Sequence, residues 1–597
     1  MNSGNPARRK VLFVWGQGPG YGNGHRVRTE KIAHSSEGRL DFRLHPWRGA
    51  QLLHEEVDAF RPDLVWLDKR ESPPKLVRDL QARGARVLVM DSVGKERNVA
   101  DYVAEGIPGL EDHPGRANLV GVEWLPDSRL APHPEADGRG TVMYAGGLEA
   151  AQVHPWCLEA AGLIRDGDFP GKIKERLILW LPKGDAWLES GREHSEIHSL
   201  GFKEVAVREV SGNAESDFKR ELGQAGLLVG YFGLSALEAL SCGIPVLLHS
   251  PSSIHERLTQ KHLAVFSSKA EKIGGGTISW TARRQAAVEC RQKFPIGKRF
   301  DLWPRVLESL CDAVRPPHCP SCASKRISIA HRRRQANLWI CGRCGLGWLQ
   351  ETVAIGIFGE EAPEHARGEY GAAYFLDEYV RAYGKTYEED RESIYRLSDA
   401  RLDFLGRFAR GGRLLDVGAA MGFFLDRAKR RGFETHGVEL SQYAVDRASK
   451  THGIRCENIL ESPVDQTFEV VTLWYVVEHF REVRRLLETL AARTAAGGIL
   501  ALGTPNIDGL SARFDRGAFL ASSPDDHYFL YGKRSLVNLL APFGFRLVGV
   551  RATGIHPSRF RRLFPLLSRI LPQGLFEAVA RWRNLGDTAE FYFKKTG

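Results

Sequence analysis

The stretch Leu414-Leu-Asp-Val-Gly-Ala-Ala-Met-Gly-Phe-Phe-Leu425 is a short apolar run that ends in Asp-x-Gly-x-Ala-x-Gly and passes at once into a helical pattern. Its spacing predicts a strand, a tight glycine turn and the start of a helix. Gly418 and Gly422 let the backbone approach a ligand where no Cβ fits, and the following helix points unpaired N–H groups at that ligand. The next apolar run, Thr435-His-Gly-Val-Glu439, closes on an acid. An acid about twenty residues beyond such a loop can take both hydroxyls of a ribose, so the pair predicts an adenosine-type cofactor.

Further apolar runs alternate with helical patterns. Phe468-Glu-Val-Val-Thr-Leu-Trp-Tyr-Val-Val-Glu-His479 reads as a buried strand entering a loop, 484–493 as a helix, and Ile499-Leu-Ala-Leu-Gly-Thr-Pro-Asn506 as the next strand. This alternation predicts a parallel sheet.

With these residues in view, 365–597 resembles the class I S-adenosylmethionine-dependent methyltransferases. The resemblance is carried by 414–425, 468–479, Thr504-Pro505-Asn506 and His527-Tyr528-Phe529. Ala420 stands where that family often has its middle glycine, and Tyr475 where it often has Asp. A nicotinamide-binding loop shares the glycine pattern, and the order of motifs after Glu439 separates the two in favour of methyl transfer. The resemblance implies that Asp416, Gly418, Ala420, Gly422 and Glu439 bind S-adenosylmethionine. The acceptor is then a sugar or related small molecule, and His479 and His527 are candidates for the base that removes its proton. Tyr370, Tyr374 and Tyr379 lie in an aromatic segment that would wall the acceptor pocket.

The whole chain has 597 residues, 43% hydrophobic and 26% charged, with a formal charge of +10. That length predicts about three domains, and the composition is that of a globular protein. No long basic run stands out, which argues against a nucleic-acid partner. The segment 226–248 is broken by glycines, Glu238 and Pro245, and reads as strand, helix and strand. No transmembrane segment and no signal peptide are expected, and a cytoplasmic location follows.

In the first half, the apolar run 10–15 leads into Gly16-Gln-Gly-Pro-Gly-Tyr-Gly-Asn-Gly-His-Arg-Val-Arg28, a glycine loop expected before a helix over 28–33. Apolar strands at 64–68 and 85–91 end in Asp68 and Asp91. A second set at 141–147, 177–181 and 227–248 predicts another doubly wound sheet. Residues 10–312 resemble the GT-B superfamily, more narrowly the UDP-sugar hydrolases of pseudaminic acid synthesis and related glycosyltransferases of spore coat polysaccharide synthesis. The matching residues are Gly22-Asn-Gly-His-Arg-Val-Arg28 and Gly233-Leu-Ser-Ala-Leu-Glu238 with Gly243-Ile-Pro245. The resemblance implies His25 as the base that activates water or a hydroxyl. It also implies that Gly24, Arg28, Gly147, Gly233, Ser235 and Glu238 bind a nucleotide sugar, a UDP-linked one in those relatives. His255 is expected to face the same cleft, and His255-Glu256 stands where related hydrolases often have Asn-Gln.

Pro316-Pro317 marks a stiff linker between the halves. After it, Cys319-Pro-Ser-Cys322 and Cys341-Gly-Arg-Cys344 form two knuckles, each able to set two thiolates at a corner of a tetrahedron. Four sulfur ligands make a closed, structural Zn2+ site. The remaining five of the nine cysteines are scattered, which argues against a disulfide framework. The intervening His331-Arg-Arg-Arg334 is expected to be a solvated hairpin tip. The basic amphipathic run 559–570 reads as a helix covering the sheet, with peripheral membrane contact as the other reading.

The expected fold is therefore α/β: a GT-B-like pair of Rossmann lobes (1–135 and 136–315), a zinc ribbon (316–350) and a class I methyltransferase sheet (351–597). The expected function is bifunctional surface-glycan or nucleotide-sugar metabolism. Methyl transfer is joined to a UDP-sugar hydrolase or glycosyltransferase, or to a non-catalytic nucleotide-sugar binding module.

Overall fold

Strands buried on both faces read as unbroken Val/Ile/Leu runs, and such runs form the centre of each large sheet in the computed structural model. The structure describes residues 8–17, 24–107, 117–126, 140–145, 148, 150–182, 185, 202–210, 215–251, 253–266, 279–293, 296–354, 357, 371–448, 452–461, 466–555 and 573–596. The chain divides into two compact units, Met1–Ala313 and Val314–Gly597.

In the first unit, strands β1 (Lys10–Trp15), β2 (Asp41–Pro46), β3 (Leu64–Asp68), β4 (Arg86–Met90), β5 (Tyr102–Glu105) and β6 (Leu119–Val120) form a sheet in the order 2-1-3-4-5-6. Every pairing in it is parallel. Strands β7 (Thr141–Tyr144), β8 (Arg176–Pro182), β9 (Glu204–Val210), β10 (Leu227–Gly230) and β11 (Val246–Leu248) form a second parallel sheet in the order 11-10-7-8-9. The helix Trp303–Asp312 returns to the first sheet. There its Trp303 packs edge-on against Trp66 at 5.0 Å and donates from Nε1 to the Trp124 carbonyl at 2.7 Å. The helix after β1 runs from Gly24–Ser35, so it starts earlier than the expected 28–33 and takes His25 into its first turn.

The second unit carries a small antiparallel sheet, β12 (Ile327–Arg332), β13 (Ala336–Cys341) and β14 (Gly347–Glu351). Its large sheet contains β15 (Gly412–Val417), β16 (Phe433–Glu439), β17 (Ile454–Cys456), β18 (Phe468–Trp474) and β19 (Thr494–Pro505). Beyond the short β20 (Phe529–Leu530), β21 (Phe545–Thr553) and β22 (Thr588–Lys595) complete it in the order 17-16-15-18-19-22-21. β22 runs antiparallel to both its neighbours, whereas the five strands from β15 to β19 pair in parallel. That order puts the crossover point between β15 and β18, at the C-terminal ends of two largely buried strands. Ligands collect at such a point because the loops on either side diverge there.

One expectation fails here. The turn around 331–334 is not a solvated tip: His331 and Arg332 are buried, and Arg333 is folded onto the loop before β20. Its guanidinium donates to the carbonyls of Ser523 and Pro524 at 2.8 and 2.9 Å and to Asp525 at 2.8 Å. A planar head with five donors serves a cluster of backbone carbonyls well enough to leave water. The small sheet is continued by β20, with Gly347 opposite Leu530 and Trp348 opposite Phe529. The membrane-contact run 559–570 lies outside the described residues.

Candidate functional site

In the second unit, β15 ends on Val417 and the chain turns through Gly418, Ala420 and Gly422, whose φ angles are 74°, 47° and 75°. The glycines adopt the left-handed region without steric cost, but Ala420 does not. Ala420 is held there by Glu439, whose Oε2 accepts its N–H at 2.7 Å while Oε1 accepts that of Ser441 at 3.0 Å. Glu439 therefore ends β16 directly beside the loop, and burial pushes its pKa up. Asp416 is buried one strand away, where Oδ1 accepts from Thr472 Oγ1 at 2.6 Å and burial raises its pKa to about 7.

The loop has an aromatic flank. Tyr387 stacks on Phe423 at 5.6 Å, and Phe375 meets Tyr387 and Tyr443 at 5.5 and 5.9 Å. Of the three tyrosines expected to wall a pocket, Tyr374 is on the surface, Tyr379 donates to Asp390 at 2.7 Å, and Tyr370 lies outside the described residues. A network that the sequence did not disclose lies behind the site. Arg401 sits 4.2 Å over the Trp474 ring and donates to Glu590 at 3.1 Å, while Arg551 holds the same carboxylate through two bonds of 2.6 Å. A buried acid beside a left-handed glycine loop, with a row of apolar rings, fits an adenosyl cofactor.

Past β18 the chain forms a tight turn, Val477–His479. It is tied to the loop before β20 by Tyr528 N–H donating to the Glu478 carbonyl at 2.8 Å. This tie brings His479 and His527 together with ring centres 4.7 Å apart and ring planes at 89°. His479 Nδ1 is 2.9 Å from Asp526 Oδ2. Burial pushes Glu478 up to about 7 and His527 down to about 3; His479 loses by burial but gains more from Asp526 and Glu478, and lies above its ordinary value. Glu478 and Asp526 are the members of this group whose contribution depends on tertiary contact.

The four cysteines also meet. Cys319 Sγ lies 3.6 Å from Cys344 Sγ, and Cys322 Sγ 3.6 Å from Cys341 Sγ. A tetrahedron with Zn–S bonds of about 2.3 Å has edges of roughly 3.8 Å, so the spacing fits that ion. Backbone N–H groups of Ser321 and Arg343 point at Cys319 and Cys341 sulfurs at 3.4 and 3.3 Å, which favours thiolates.

In the first unit, Asp68 at the end of β3 is fully buried and gathers three partners. Its Oδ1 lies 2.5 Å from His25 Nδ1, its Oδ2 accepts from Arg28 Nε at 2.5 Å and from Thr29 Oγ1 at 3.1 Å. Arg28 also pairs with Asp91. Burial alone would raise Asp68, but the charges of Arg28 and His25 hold it down at about 2. Asp91, bearing less of that compensation, is raised by its burial. In the second sheet's half, Gly233 precedes the helix Leu234–Ser241, Ser235 is in its first turn and Glu238 is buried within it. His255 meets the Tyr231 ring at 5.1 Å, and burial with the Arg70 charge pushes it down to about 4. Gly24 begins the helix that carries His25 and Arg28; Gly147 lies outside the described residues.

A family model described as "Methyltransferase domain" matches residues 387–550. The chain is similar to a ubiquinone biosynthesis O-methyltransferase of Nitrobacter winogradskyi, 29% identical over 135 residues, which is 19% of this chain and 51% of that protein. It thus spans about half the length of that curated relative. Among solved structures, it is similar to a SAM-dependent methyltransferase from Archaeoglobus fulgidus at 19% identity and a TM-score of 0.29, covering 37% of this chain and 99% of that one. A magnesium protoporphyrin IX methyltransferase from Synechocystis PCC 6803 gives 12% identity and a TM-score of 0.26, covering 38% and 97%. With the glycine loop, Glu439 and the sheet order already described, the family match identifies a class I S-adenosylmethionine-dependent methyltransferase domain in the second unit.

Proposed function

We propose that the second unit transfers a methyl group from S-adenosylmethionine to a sugar or related small molecule. The observation that carries this reading is the left-handed loop 418–422 facing Glu439 at the crossover point, with two histidines beyond the next strand. Glu439 would take the ribose hydroxyls, the loop N–H groups and the start of the helix Phe423–Arg430 would line the cofactor's polar end, and the rings of Phe375, Tyr387 and Tyr443 would keep water from it. The cofactor supplies an electrophilic methyl: a bond from the acceptor atom forms as the carbon–sulfur bond breaks, and its electron pair stays on sulfur. An acceptor lone pair must lie in line with that bond, so the chain contributes mainly by orientation. With no cation bound, His479, raised above its ordinary value and paired with Asp526, is the group suited to receive the proton, while His527, pushed down to about 3 by burial, stays neutral beside it.

The four cysteines would hold a structural Zn2+. Closed on all four positions, that ion would do no chemistry, and its effect would be to fix the small sheet against β20 and hence the loop bearing His527.

For the first unit the reading is a GT-B-like pair of lobes that binds a UDP-linked sugar and hydrolyses or transfers it. It is supported by the contact between His25 and the buried Asp68, which orients an imidazole at a glycine-loop helix start, and by the return of helix Trp303–Asp312 to the first sheet. A bifunctional enzyme of surface-glycan metabolism follows. A binding module without turnover is the second reading, favoured by the way Arg28 saturates Asp68 and Asp91 in a structural ion cluster.

The full chain incubated with S-adenosylmethionine and UDP-amino sugars, then analysed by mass spectrometry, tests both halves. A mass gain of one methylene in sugar or product supports methyl transfer. Release of UDP lost in His25→Ala supports catalysis in the first unit, and its persistence points to another base.

A further inference from the structure

We infer that Glu478, His479 and His527 form a divalent-cation site at the acceptor edge of the methyltransferase domain, separate from the four-cysteine cluster. One ligating atom from each residue lies within 4.8 Å of those of the other two. Two imidazoles and one carboxylate on neighbouring loops are a donor set for Zn2+, Fe2+ or Mn2+ that leaves coordination positions open.

Three features on this side of the sheet point to a cation. Glu478 is completely buried, and no donor is well aligned on either of its carboxylate oxygens. His527 Nδ1 is likewise buried without a hydrogen-bond partner. A buried carboxylate facing imidazole nitrogens is costly unless a positive charge sits among them, and a metal ion supplies that charge. Asp526 stands 2.9 Å from His479 Nδ1, the carboxylate–histidine partnership that orients a metal-bound ring.

The backbone makes the set rigid. Tyr528 N–H binds the Glu478 carbonyl at 2.8 Å, and the Tyr528 carbonyl accepts from Leu349 N–H of the cysteine-bearing sheet at 2.9 Å. His479 keeps 21% of its side chain exposed, so the cluster is reachable from outside. Resting on the proposed methyl transfer, the cation binds the acceptor's hydroxyl oxygen and polarises it. The O–H bond breaks with its proton passing to water, and the oxygen lone pair forms the bond to the methyl carbon. The chemical class of acceptor is therefore a hydroxyl compound able to coordinate a metal.

The test is Mn2+ binding to the full-length chain, with zinc left in the cysteine cluster, followed by the loss of the free-ion signal in electron paramagnetic resonance. Mn2+ prefers oxygen and nitrogen donors and does not compete for four thiolates. The expected result is one Mn2+ per chain, bound at least about tenfold more weakly by Glu478→Gln and by His527→Ala. S-adenosylhomocysteine affinity, measured on the same samples, separates site loss from unfolding. If His527→Ala also loses that affinity, Glu478→Gln and His527→Asn decide the outcome. A wild-type chain that takes up neither Mn2+ nor Co2+, or folded variants that bind as wild type does, overturns the site. A chain that binds Mn2+ at these residues but not S-adenosylhomocysteine keeps the cation site and defeats the methyl-transfer reading instead.

Discussion

Replacing Gly418 by alanine tests the geometry on which cofactor binding depends. The backbone there has φ 74°, and a Cβ would stand 2.5 Å from Val476 Cγ2. The left-handed conformation costs a Cβ-bearing residue roughly 1–2 kcal/mol. Overpacking adds about 1–3 kcal/mol, because Val476 packs against the central core cluster and has little room to retreat. Gly418→Ala is thus expected to destabilise the second unit by roughly 2–5 kcal/mol. The two contributions separate in a double-mutant cycle with Val476→Ala, read by denaturant unfolding and by S-adenosylhomocysteine titration. Shortening Val476 should restore the overpacking part, about 1–3 kcal/mol, and leave the backbone part. Additive effects of the two substitutions would refute the contact with Val476, and a neutral Gly418→Ala would refute the left-handed loop conformation as well.

Other consequences follow from single contacts. Cys341→Ser, or chelation of the ion, should release the small sheet and slow methyl transfer while S-adenosylhomocysteine binding persists; hydrogen exchange at 523–530 would report it. Arg333→Ala removes three bonds to that loop and should cost about 1–2 kcal/mol, with a fall in turnover at unchanged cofactor affinity. Because His255 has a folded pKa of about 4 against 6.5, the stability it contributes is present above pH 6.5 and lost as pH falls towards 4. That loss amounts to roughly 3 kcal/mol, and an acid titration of the first unit's tryptophan fluorescence in His255→Asn should show it diminished. Asp68→Asn should destabilise the first unit by about 3 kcal/mol or more, since Arg28 then lacks its main buried counter-charge; an unchanged unfolding midpoint would contradict the ion cluster.

The large sheets were legible because strands buried on both faces are continuous apolar runs. The glycine loop was legible because only a few residue types tolerate its conformation, and Glu439 because it closes a strand. The two cysteine knuckles could be read from spacing alone, each being local, whereas the contacts of Cys319 with Cys344 and of Cys322 with Cys341 come from the hairpin that brings the knuckles together. The Arg333 contacts could not, since a basic run between two strands has the composition of a solvated turn and the carbonyls it reaches lie about 190 residues away. The Arg401–Glu590–Arg551 network escaped for the same reason: its members share a site only after the last strand inserts between β19 and β21. Glu478 was visible next to His479, but its role depends on His527, which a backbone bond from Tyr528 brings alongside. Ala420 entered as a small replacement for glycine; its φ of 47° makes it a strained residue fastened by Glu439.

Whether the second unit binds the cofactor through Glu439 is decided by calorimetric titration of the full chain with S-adenosylhomocysteine, for wild type and Glu439→Ala. The wild type should bind at one site per chain and the variant at least about tenfold more weakly, in line with losing a charge-assisted pair of hydrogen bonds. No heat with S-adenosylhomocysteine, or binding of a nicotinamide dinucleotide in its place, would contradict it.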